Sequence, residues 1–219
     1  MNRLLATIQS QEIWQQASDE SFSFRAGMTI DADGSPRAYG PRDSGLDYTI
    51  NAGHPGNWWG VVTGRVNTLQ SDGRVITDIA PVVQGPQDPC PGMYISTTSL
   101  QNRARRDDGS LLYGPTDPRR YVNSEEIPFV VCPGIVAKNA SGIVLGCKVV
   151  VVDTRSGEQC LAVCADIGPS THLGECSMKL AAIMGVRNSP RDGGETTPCF
   201  RYTFYPGQAA KGYTLQPLG

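Results

Sequence analysis

The chain has 219 residues, with 19 Lys and Arg against 21 Asp and Glu and a formal net charge of −2. That length is enough to bury a substantial core, and the near-neutral balance excludes the basic footprint of a nucleic-acid binder. Only 18% of residues are charged, while Gly and Pro number 25 and 16, which predicts a β-rich, loop-heavy fold with few long helices.

The N-terminal stretch "MNRLLATIQSQEIWQQ" turns polar after a brief Leu-Leu. It has neither the long apolar segment nor the small-residue cleavage site of an export signal, and it reads as a short amphipathic helical segment over 1–20. A single domain is expected over 21–219, with no apolar run approaching the roughly eighteen residues of a membrane span. Residues 22–30 alternate as a half-buried strand: Phe22, Phe24, Ala26, Met28 and Ile30 share one face, with Arg25, Thr29 and Asp31 on the other. The parity continues to Asp33, so "IDADG" is expected to present two acids toward solvent. Residues 34–60 form a long loop rich in Gly, Pro, Asp and aromatics, of a length that is usually functional when ordered. Strands are expected at 61–67, 74–83 and 93–97, and a solvated basic loop over 101–120.

In the second half "IPFVVCPG" (127–134) reads as a strand, and 142–166 as two strands about the turn "TRSGE". The run Val149 to Val152 is expected to be fully buried. In the second strand Cys160, Ala162, Cys164 and Asp166 fall on one face. "GECSMKLAAIMG" reads as a short helix opened by Glu175 and stopped by Gly185, and 199–207 as a closing strand. Seven cysteines leave at least one unpaired; mostly buried thiols with one or two disulfides are expected. With no CxxC pair and two histidines, no metal site is expected.

The segment "ADIGPSTHLGECS" (165–177) holds two acids nine residues apart, Asp166 and Glu175. Glycoside hydrolysis needs one carboxylic acid to protonate the leaving oxygen and one carboxylate to activate water or attack carbon. A strand-end acid and a helix-start acid joined by a short loop meet that demand. Pattern alone leaves a plain reading open as well, since acids are favoured at helix N-termini and Asp-Ile-Gly makes an ordinary turn.

Two blocks, "MTIDADGSPRAYGP" (28–41) and "ADIGPSTHLGECSMKLA" (165–181), with "EEIPFVVCPG" (125–134) between them, resemble the fungal-type endo-chitosanases of glycoside hydrolase family 75. The second block also resembles the Asp-x-Gly pattern of double-psi β-barrels. The fold expected is therefore mainly β with a few short helices, a six-stranded double-psi-like barrel with long loop insertions. The resemblance implies endo-acting, inverting hydrolysis of chitosan without a cofactor, by an acid pair falling on Asp166 and Glu175.

Within that pair Glu175 is assigned as general acid and Asp166 as the base that activates water, although a helix N-terminus would lower the pKa of Glu175. Chitosan is a polycation at mildly acidic pH, so further carboxylates are expected along its cleft. Asp31 and Asp33 are the first candidates, with Tyr39 beside them and Asp43 and Asp47 as weaker ones. Trp58 is the candidate for stacking on a sugar ring, since only one of Trp58 and Trp59 should face substrate, and His172 lies in the loop between the two acids. The protein is expected to be a monomer acting outside the cell, released by lysis in the absence of an export signal. Two other readings stand beside this one: an enzyme acting on peptidoglycan or another hexosamine polymer, and a non-catalytic carbohydrate-binding module.

Overall fold

The structure is a computed structural model that describes residues 1–218. In chain order its strands are β1 (Arg3–Ile8), β2 (Gln11–Gln15), β3 (Phe22–Asp31), β4 (Gly53–His54), β5 (Asn57–Trp58), β6 (Thr63–Leu69), β7 (Val75–Pro81), β8 (Phe129–Pro133), β9 (Cys147–Asp153), β10 (Gln159–Gly168), β11 (Glu175–Ser177) and β12 (Glu195–Ala209). Two short helices, α1 (Gly134–Asn139) and α2 (Met178–Ile183), follow β8 and β11. The chain divides into two compact units. One contains Met1–Ala32, Thr98–Leu100 and the chain from Ser124 onward; the other contains Asp33–Thr97 and Gln101–Asn123.

The first unit is built on a closed six-stranded barrel of the expected double-psi-like kind, in the order β3-β11-β8-β10-β9-β12 and back to β3. Two pairs, β3 with β11 and β8 with β10, are parallel; the remaining neighbours are antiparallel. Strict alternation aims Phe22, Phe24, Ala26, Met28 and Ile30 of β3 inward, all buried. Phe200, Tyr202 and Phe204 of β12 are fully buried opposite them. The register pairs Phe204 with Phe22 and Tyr202 with Phe24, and the rings stack at centroid distances of 4.8 and 5.3 Å. Aromatic cross-strand pairs of this kind fix register as well as burying area. Of the run Val149 to Val152 in β9 only Val149 and Val151 are buried while Val150 and Val152 are half-exposed, because β9 is covered on its inner face alone.

The N-terminal segment is a β-hairpin rather than a helix. Gln9 and Ser10 both take positive φ, 50° and 64°, the conformation of a two-residue hairpin turn whose twist matches the flanking strands. Ala6 and Ile8 in β1 and Ile13 and Gln15 in β2 are buried, a β period that Leu-Leu and Gln-rich composition had masked. The buried Gln15 side chain then ties the hairpin to the barrel unit, donating to Ser141 O and accepting from Ser141 N, both at 2.8 Å.

All seven cysteines are free, and all but Cys90 are buried, so the expected disulfides do not form. Burial pushes the Cys164 and Cys176 thiols well above their usual range, which makes them inert packing groups. The second unit holds the β4/β5 pair, the β6/β7 ribbon and short 3₁₀ turns at Pro41–Asp43, Thr49–Ala52 and Pro118–Arg120. Among the described residues no helix is long and apolar enough to cross a membrane.

Phe204→Ala is expected to destabilise the barrel by about 3–5 kcal/mol, because it empties the centre of the Phe22–Phe24–Phe204 stack. Urea titration followed by circular dichroism checks this; a loss below 1 kcal/mol would show that the stack is not core.

Candidate functional site

Asp166 owes its direction to one extra residue. β10 pairs Cys164 with Val130 and Asp166 with Val131, leaving Ala165 as a bulge. Without it Asp166 would share the interior face of Cys164, as strand parity predicts. The bulge turns its side chain to the outer face of the barrel, a use of bulges that recurs beside active sites. The Ala165 carbonyl, displaced from the ladder, accepts from Leu100 N at 2.9 Å. That contact seats the Thr98–Leu100 segment against β10 and brings Ser99 to Asp166. Three donors converge on Asp166 Oδ1: Ser99 N at 3.0 Å, Ser99 Oγ at 2.5 Å and Ile167 N at 2.7 Å. Ser99 carried no local signal in the sequence; it sits 67 residues from its partner.

Glu175 does not open a helix. It lies in β11, parallel to β3 with Glu175 opposite Thr29 and Ser177 opposite Asp31. The helix begins at Met178 and is capped by Ser177, whose Oγ accepts from Leu180 N at 3.1 Å and from Phe129 N at 2.9 Å. The dipole argument against Glu175 as a proton donor therefore does not apply.

Glycines decide where Glu175 goes. A Cβ on Gly168 would stand 2.7 Å from Val131 Cγ1 and 3.0 Å from Glu175 Oε2, so the carboxylate lies across the space that a side chain would fill. Gly174, at φ +87°, is equally confined, with a Cβ only 2.6 Å from Gly27 O. The glycines of "DIG" and "LGE" are thus close-approach positions. Gly168 and Asp166 are two residues apart on one strand and share a face. Asp166 and the seat of Glu175 over Gly168 therefore lie one strand step apart on that face, a Cα–Cα spacing on the order of 7 Å.

Asp31 ends β3 on the same face. It was expected to point to solvent but is only 7% exposed, because β11 pairs alongside its strand end. Ser124 fixes that end: its Oγ donates to Asp31 O and accepts from Met178 N at 3.0 Å, and its carbonyl accepts from Lys179 N at 2.8 Å. Asp31 and Asp166 each bring a carboxylate oxygen within 4.8 Å of the other. His172 is half-buried, with Nε2 3.0 Å from Thr29 Oγ1. The barrel unit therefore gathers Asp31, Asp166, Glu175 and His172.

The other expected residues belong to the second unit. Asp33 accepts from Ser96 Oγ at 3.1 Å and is half-buried. Tyr39 is 2% exposed and is a core residue with no face open to a polymer; its carbonyl accepts from Tyr94 N at 2.9 Å. Trp58 is half-buried, and its neighbour Trp59 is the ring that faces out, 56% exposed and held by an Nε1–H bond to Asn51 O at 2.9 Å. Asp43 and Asp47 accept backbone N–H groups at Thr49 and Tyr48 within their own loop.

Burial pushes the Asp166 carboxyl above its ordinary value of 3.8, and the bonds from Ser99 and Ile167 recover part of that cost. Its folded state therefore holds a proton that the unfolded chain has already lost. Stability contributed by that proton is complete below pH 3.8 and is lost as pH rises through the elevated folded value. Asp166→Asn, which removes the buried charge and keeps an acceptor for Ser99, is expected to match wild type near pH 3.5. Above the folded pKa it should be more stable by on the order of 1 kcal/mol. Thermal melts across pH 3–8 measure the difference, and a difference independent of pH would contradict it.

Comparison with known protein families and with curated proteins returns no match, so the chemistry of the site rests on its own residues.

Proposed function

We propose that the barrel unit is an endo-acting glycoside hydrolase that cleaves β-1,4 bonds of chitosan with inversion, Asp166 and Glu175 being its acid–base pair. The observation that carries the reading is that two carboxyls share one barrel face, Glu175 lying over Gly168 and Asp166 standing one strand step away on the same strand. Inverting enzymes hold theirs roughly 6.5–9.5 Å apart to admit water between carboxylate and sugar.

The roles follow from environment and reverse the assignment expected from sequence. Asp166 has the raised pKa that a proton donor needs at mildly acidic pH, and the donors on Oδ1 anchor the group. Its proton passes to the glycosidic oxygen as the C1–O bond breaks. Glu175 takes a proton from a water that attacks C1 on the opposite face, and the new C1–O bond forms with inverted configuration.

A specific observation keeps the wider hexosamine reading in play. Burial of Asp31 removes one of the two acids counted as amine-binding groups, which weakens the preference for a deacetylated polymer. Reducing-end release from chitosan, chitin and peptidoglycan separates the possibilities. Asp166→Asn and Glu175→Gln are each expected to lower turnover on chitosan by about 10²–10⁴-fold. Near-wild-type activity in either would remove it from the pair, and cleavage of chitin or peptidoglycan alone would change the substrate. No cleavage of any of the three would leave the binding-module reading.

Gly168→Ala is expected to fold and yet lose at least about tenfold in kcat, since the methyl displaces Glu175 from its seat. Equal kcat in the two proteins would mean that the position of Glu175 does not matter.

A further inference from the structure

We infer that Asp31 is a positioning residue for Asp166, a second carboxyl that holds the proton on it by proximity rather than by contacting substrate amines. The inference rests on the acid role proposed above for Asp166.

Geometry carries it. The two carboxylates come within 4.8 Å, they sit on different strands fixed by different interactions, and neither strand end can swing away. Asp31 is locked by its pairing register with Ser177 and by Ser124, which bridges it to the first turn of α2. Asp166 is locked by the bulge and by Ser99 and Ile167. Like charges confined at that separation, one of them 7% exposed, do not both ionise in the range where either alone would. The pair then loses its two protons in separated steps that belong to the pair rather than to either residue.

The donors sort the two states. Those on Asp166 all converge on Oδ1, and Oδ2 is left as the oxygen that can bear the proton. The other titratable groups around the pair are Glu175 and Cys176 on β11, Cys164 on β10 itself, Cys132 on β8, which interacts with Cys164, and His172 in the loop that precedes β11. Asp33 follows Asp31 by two residues in the chain.

Carbon-13 carboxyl titration of the full chain without substrate reads this directly. In wild type the Asp31 and Asp166 resonances should each show both titration steps. In Asp31→Asn the Asp166 resonance should show one step, displaced to lower pH by about one unit. In the same variant the basic limb of kcat/KM on chitosan should move to lower pH by a similar amount. Independent single-step titrations in wild type, or an Asp166 step unmoved by Asp31→Asn, overturn the inference. A basic limb that stays in place while the Asp166 resonance moves overturns the acid role of Asp166 and leaves the pairing intact. The wild-type titration stands by itself if Asp31→Asn does not fold.

Discussion

The site depends on a single inserted residue in a barrel strand. Ala165 breaks the β8/β10 ladder for one position. Three consequences follow from it: Asp166 turns outward, a carbonyl is released for Leu100, and Ser99 arrives beside the carboxylate. A regular strand would have placed Asp166 among the buried thiols. There an unpaired carboxylate costs several kcal/mol.

Around this displacement the chain spends its small residues on closeness. Gly174 is confined by backbone that leaves no room for a methyl and Gly168 by the side chains of Val131 and Glu175, and the two serines Ser124 and Ser177 knit strand ends to the start of α2. The acids are consequently held by backbone geometry more than by one another, which is the preorganisation that proton transfer requires. Holding carboxyls close in a poorly solvated place lowers stability at neutral pH. Such a local loss is the usual companion of a working site.

Much of the barrel was legible because its signal is local. The alternation of Phe22 to Ile30, the hairpin 142–166 and the closing strand each reveal their faces by period two, and the aromatic pairs of β3 and β12 follow from it. The N-terminal hairpin escaped because its turn uses Gln9 and Ser10 at positive φ in place of the Asn-Gly that announces such turns. Glu175 was read into a helix because the apolar spacing that follows it is helical, and nothing in the letters marks Ser177 as the true cap. The inward or outward sense of Asp166 was not legible at all: parity gives the wrong face, and only pairing with β8 reveals the bulge. The burial of Asp31 and Tyr39 escaped for a related reason, since an acid or a phenol in a loop or at a strand end looks exposed until the segments that cover it are placed. Ser99 is a partner across 67 residues, a separation at which composition and spacing are silent.

The central claim is that Asp166 donates a proton while Glu175 activates water. Proton NMR of the anomeric region during the first turnovers on chitosan oligomers tests it most directly. The account predicts that the α anomer of the new reducing end appears first and the β anomer only by later mutarotation. The β anomer appearing first would mean retention, and would contradict the water-activating role of Glu175.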